Sequence, residues 1–234
     1  MQRLSLITLA LATLSAPALA VSNGQFTQGL NGWDTLGDVS VQSPNTLVLT
    51  SALDASDDLG GSFNFSGVPA ELALSVGGVE EFAGLSIGAL HGVEPGLDEA
   101  AEGSVARQMF SVQAGDTLSL SWQLLTNEQG PDAKSDLGFL VLNGTLFELA
   151  LAPNATGAGA LGFAAGTGWS TFTHTFTQSG LASLALGVVD RGDFVTTSAL
   201  AVQNVSITPV PEPTTWALVL GGAAVLLAAR RRAG

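Results

Sequence analysis

The chain has no cysteine and no tyrosine, only two histidines, and only seven lysines and arginines against twenty aspartates and glutamates in 234 residues. Without cysteine there is neither a disulfide framework nor thiolate chemistry, and His91 and His174 are too few for a histidine-rich metal cluster. The shortage of positive charge is sharpest in the middle. Residues 21–208 hold three bases, Arg107, Lys134 and Arg191, against nineteen acids, a net charge of −16. A body of that sign repels phosphate backbones, which excludes nucleic acid as a partner. Long uncharged apolar runs are confined to the two ends. Glycine is plentiful at 29 residues, and 46% of the chain is hydrophobic.

The ends read as addresses. Residues 1–20 carry Arg3, an apolar run over 4–14, and Ala18-Leu19-Ala20, which places small residues where signal peptidase cuts. Cleavage is expected after Ala20. At the other end, Val210-Pro211-Glu212-Pro213 precedes an uncharged stretch over 214–229 and then Arg230, Arg231 and Arg232. A helix over that stretch reaches about 24 Å, slightly short of a bilayer core of roughly 30 Å, and arginine snorkelling closes the gap. The three arginines favour the cytoplasmic side, so the body is expected outside.

Pro211-Glu212-Pro213, the apolar helix and the terminal arginine cluster, in that order, resemble the PEP-CTERM sorting signal of exopolysaccharide-producing Gram-negative bacteria. The resemblance covers 209–234. It implies export, transient anchoring in the inner membrane, and handling by an exosortase, with secretion to the cell surface or matrix. A permanent single-span anchor is the plain alternative.

Between the ends the periodicity is two. Leu118, Leu120, Trp122 and Leu124 share one face of 117–125, with Ser119, Ser121 and Gln123 on the other, which predicts a half-buried strand. Phe172, His174 and Phe176 alternate with threonines, and Leu184, Leu186 and Val188 with small residues. Asn143-Gly144 between two apolar runs predicts a tight hairpin, because both turn positions accept positive φ. Val39 and Val41 lie before, and Leu47 and Leu49 after, a turn at Ser43-Pro44-Asn45. Only 79–85 and 97–101 read as short helices. The expected fold over 21–208 is all-β, one antiparallel, jelly-roll-like β-sandwich.

Asn23-Gly24-Gln25-Phe26 with Gly32-Trp33, and the closing run over 199–207, are similar to the first and last strands of galactose-binding-like jelly rolls. In such folds a Glu of the first strand and an Asp of the last commonly hold a structural calcium. Here Thr27 and Gln203-Asn204 stand at those places, so that site is expected to be absent or altered.

No Gly-x-Ser-x-Gly elbow, His-Glu-x-x-His or phosphate-binding glycine loop is present. His174 shares its face with two phenylalanines and is expected to be packed. Glu80-Glu81 and Asp98-Glu99 are expected on solvated turns, where they do not face each other across a cleft as glycosidase acids must. Arg191-Gly192-Asp193 is a turn tripeptide expected by chance. Trp33 and Trp169, each after a glycine turn, are the candidates for stacking on a sugar, although both also resemble core tryptophans. Glu128, Asp132 and Asp136 in one loop and Asp190 and Asp193 in another would bind calcium if the loops converge; solvated turn acids are the default.

These features lead us to expect no enzyme and no cofactor. The expected function is that of an exported structural or adhesive protein of the cell surface or matrix, linked to extracellular polysaccharide. The alternative is a carbohydrate-binding module, favoured if an aromatic lies exposed on a concave face.

Overall fold

A computed structural model describes residues 21–53, 62–94, 98–210 and 221–222. The expected signal cleavage at Ala18 to Ala20 and the sorting residues Pro211, Glu212, Pro213 and Arg230 to Arg232 lie outside them. Among the described residues no helix is long and apolar enough to cross a membrane.

Among the described residues, thirteen strands form two antiparallel sheets. The first sheet orders β1 (Asp34–Leu36), β5 (Ala100–Val112), β12 (Gly180–Arg191), β7 (Leu137–Leu142) and β8 (Thr145–Leu151), with β4 (Glu71–Leu72) beside β5. The second orders β2 (Val39–Gln42), β3 (Thr46–Thr50), β13 (Ser198–Thr208) and β6 (Thr117–Thr126). Beyond β6 lie β10 (Ala165–Gly166) with β9 (Gly157–Ala158), and β11 (Ser170–Thr175). The long strands therefore form two interleaved quartets, β5-β12-β7-β8 and β3-β13-β6-β11, in jelly-roll order.

Alternation builds the core. Leu118, Leu120 and Leu124 of β6 meet Leu184, Leu186 and Val188 of β12 and Leu200 and Val202 of β13 between the sheets, all fully or almost fully buried. Each such leucine contributes about 2 kcal/mol by leaving water. The β7–β8 hairpin turns at Asn143 (φ 51°) and Gly144 (φ 76°), the pair of positive φ values its twist requires.

Both sheets are also covered outside. A short helix, α1 (Val79–Ala83), and the following loop pack Val79, Ala83 and Leu90 onto Val105, Phe139 and Val189 of the first sheet. Phe63, Phe65 and Phe163 cover Val48, Leu125 and Ala201 of the second.

Three expectations are corrected here. Residues 100–101, read as helical, open β5, the longest strand. Trp122, expected in the core from its place among the leucines of 117–125, packs against the core but is only partly buried. Glu80 is not a solvated turn acid: it is 0% exposed, and its carboxylate accepts the backbone N–H groups of Gly88 (2.5 Å) and Leu90 (2.7 Å), fastening the loop after α1.

Candidate functional site

The strand registers define two ends. Val112, Thr117, Gly180 and Thr208 lie at one; Ala100, Thr126, Arg191 and Ser198 lie at the other, called here the upper end. At the upper end the leucine core gives way to acids. Two residues beyond Leu124 and two before Leu200, Thr126 and Ser198 point inward as strand alternation demands. The Ser198 hydroxyl lies 2.8 Å from that of Thr126 and donates to Asp136 Oδ2 at 2.5 Å; the Arg191 backbone N–H donates to Asp136 Oδ1 at 3.2 Å. A bulge between Val189 and Arg191 places Asp190.

Asp136, Asp190, Glu102 and Glu128 are 0%, 1%, 1% and 7% exposed, and Asp193 is close enough to act on three of them. Burial pushes the Asp136 carboxyl up to about 7, against the hydrogen bonds from Ser198 and Arg191. Burial, then the neighbouring Asp136 and Glu102, push Asp190 up to about 11. Burial also raises Glu128, whose Oε2 accepts the Lys134 backbone N–H at 2.7 Å. Asp136, Asp190 and Glu128 titrate late because their charged forms have lost water and meet other negative charge.

Arg191 does not neutralise them. Its guanidinium points to the Leu90 carbonyl (2.7 Å), the His91 carbonyl (3.4 Å) and Glu148 (3.2 Å). Buried to 2% exposure, it is not presented as part of an Arg-Gly-Asp turn.

Above this cluster lies an open groove of about 490 Å³, lined by Leu72, Leu74, Glu99, Ala101, Asp193 and Phe194 among others. Gly192 takes φ 91° and its N–H donates to the Glu99 carbonyl at 2.9 Å, which turns the chain so that Asp193 and Phe194 enter the groove. Phe194 is 50% exposed, Leu72 47% and Leu74 39%. Asp193 Oδ1 accepts the Val195 N–H at 3.0 Å, and the residue is half-buried at the groove. An apolar floor with two carboxylates at its rim fits an amphiphilic, uncharged, hydroxyl-rich ligand.

Of the expected calcium residues, Glu128, Asp136, Asp190 and Asp193 come together, while Asp132 is exposed in its loop apart from them. Glu102 joins in its place; nothing marked it in the sequence because β5 itself was not legible. Among the described residues no three acids or histidines stand already grouped as a metal-ligand set. Trp33 is removed from the sugar candidates: it is 7% exposed, its ring tilted on Phe26 at 5.5 Å, so no face is free to stack. Trp169 is 46% exposed just before β11, away from the groove. Phe194 was not singled out because an isolated phenylalanine in a turn carries no pattern. His174 is packed edge-on to Phe147 and Phe176, as its strand face predicts.

The fold and its upper end thus define a jelly-roll β-sandwich with one apolar, acid-rimmed groove. No family model matches the chain, and no curated protein matches it. Among solved structures it is similar to TmCBM61 in complex with β-1,4-galactotriose, at 11% identity over 80% of this chain and 96% of that one, with a TM-score of 0.35. It is also similar to a CBM4 protein at 10% identity, over 81% and 99% of the two chains, with a TM-score of 0.36. The K3 cleaved adhesin domain of Lys-gingipain from Porphyromonas gingivalis is 10% identical over 82% and 99%, with a TM-score of 0.39.

Proposed function

We propose that the chain is an exported, non-catalytic β-sandwich that serves as a structural or adhesive component outside the cell by holding polysaccharide in the upper groove. The observation that carries this reading is the half-exposed Phe194 beside Leu72 and Leu74, with Glu99 and Asp193 at the rim. An aromatic face covers the apolar face of a pyranose, and carboxylates accept from its hydroxyls. The absence of lysine or arginine from the groove lining points to a neutral polysaccharide rather than an anionic one. Sorting by the segment over 209–234, with an exosortase acting near Pro211 to Pro213, belongs to the same proposal and rests on the sequence resemblance.

Affinity electrophoresis through gels containing neutral galactan or glucan tests the reading. The wild-type protein should be retarded, and Phe194→Ala should lose retardation by about tenfold in affinity with an unchanged melting temperature. A wild type that runs freely through every neutral polysaccharide, or a Phe194→Ala protein retarded like wild type, refutes the groove as a sugar site.

A further inference from the structure

We infer that the upper end of the sandwich is a calcium site, formed when Asp190, Glu128 and Asp136 turn their carboxylates onto one cation. The argument starts from how this protein treats its other buried acids. Asp38, 0% exposed, accepts the Thr50 hydroxyl (2.5 Å) and the N–H groups of Phe65 (3.0 Å) and Ser66 (2.7 Å). Asp116, 2% exposed, accepts from Gln113 (2.8 Å) and Val210 (3.2 Å), and Glu80 accepts from two backbone amides. Those three are fully used as staples. Asp190 Oδ1 and Glu128 Oε1 are equally buried and have no hydrogen-bond partner. An orphaned buried acceptor costs about 1 to 3 kcal/mol, more when charged, and here two occur in one cluster.

What surrounds them identifies the missing partner. The charges acting on Asp190 are Asp136, Glu102, Asp193 and Glu128, all negative. Lys134 gives Glu128 a backbone N–H, and its charge is the weakest influence on that carboxyl. The Arg191 side chain faces the other way. No cation of the described chain is turned to these orphaned oxygens, so a positive partner for them comes from outside the chain. The donors are all oxygens, with the hydroxyls of Thr126 and Ser198 beside them and no histidine or cysteine, which selects a hard cation over zinc or copper. The carboxylates come from strand ends and a loop and are not already drawn up at ligand spacing. Calcium tolerates such an irregular set and takes six to eight oxygens, whereas magnesium demands a near-ideal octahedron. Asp190 lies at the bulge of β12 and Asp136 immediately precedes β7, so strand pairing holds both beside the cluster.

The site does not depend on the sugar reading, and its test contains no sugar. The purified full chain is melted and titrated calorimetrically with calcium chloride, with magnesium chloride and with sodium chloride at matched ionic strength. Calcium should bind with one-to-one stoichiometry and raise Tm by about 5 to 10 °C at a hundredfold excess over Kd, with magnesium giving less. Asp190→Asn and, separately, Glu128→Gln should abolish heat and shift while staying folded in calcium-free buffer, since each amide relieves the repulsion. Asp132→Asn, in the same loop but outside the cluster, should keep both. No heat and no shift beyond the sodium control at about 10 mM calcium overturns the inference. So does a calcium response that survives both Asp190→Asn and Glu128→Gln, or one that Asp132→Asn removes.

Discussion

Replacing Gly187 by alanine tests how tightly the first sheet is closed under its outer layer. Gly187 of β12 lies opposite Phe139 of β7, and the Phe139 ring, 0% exposed, lies flat over the glycine backbone. A methyl group added there would overlap Cζ and stand 2.7 and 2.9 Å from Cε1 and Cε2. Carbon atoms pack at about 3.5 to 4.0 Å, so the ring must move by roughly 1 Å into Val105 and the residues of α1 above it. Overpacking of this kind costs about 1 to 3 kcal/mol, and a rigid ring trapped on both sides belongs at the upper end. For a domain of this size about 3 kcal/mol lowers Tm by roughly 6 to 12 °C. The assay is equilibrium urea unfolding followed by tryptophan fluorescence, with the midpoint expected to fall at constant m. Phe139→Leu removes the clashing atoms, so the double variant should be more stable than the sum of its parts by about 1 to 2 kcal/mol. A Gly187→Ala protein within about 0.5 kcal/mol of wild type, or strict additivity with Phe139→Leu, would show that the ring does not sit on the glycine as described.

The acid cluster should make the calcium-free protein lose stability as pH rises. The folded carboxyl of Asp136 holds its proton up to about 7 against an ordinary 3.8, so its contribution is complete below about 4 and is lost as pH climbs through 7. That amounts to about 4 kcal/mol over the interval, visible as a falling urea midpoint whose slope Asp136→Asn reduces, Asp190 and Glu128 supplying the remainder in the same direction; a midpoint rising across the same range contradicts the burial of the group. Glu80→Gln should leave one of the two amides it serves, Gly88 or Leu90, facing an NH₂ group, at a cost of about 1 to 3 kcal/mol. Hydrogen exchange at those two amides should quicken more than in β6 or β12, and unchanged protection would remove Glu80 from its fastening role.

What the sequence made legible follows from solvent. Strand β6 shows its alternation because Ser119 and Ser121 reach the partly open outer side, and the β7–β8 turn announces itself through Asn143-Gly144. Strand β5 hid because its first half is covered on both faces, by the core and by α1, so that Val105 and Ala106 are both buried and no period remains. The acid cluster was half visible: two loops with aspartates could be seen, but their convergence depends on strand registers that are long-range, and Glu102 lies within the hidden strand. Trp33 misled because a glycine turn precedes core and surface tryptophans alike.

The way the chain leaves the sandwich sets where its groove can work. The Val210 N–H is held by Asp116, at the foot of the molecule beside the β5–β6 turn, while Asp193 and Phe194 sit at the far end of β12. Eleven strand steps from Gly180 to Arg191 span roughly 36 Å, more than four screening lengths at physiological salt. The electric field of a charged surface at the foot would have died away before it reached the acidic tip. Under the anchoring proposed above, the sandwich would act as a mast, its negative head beyond the reach of an anionic surface at its foot and its groove a full strand length away from it.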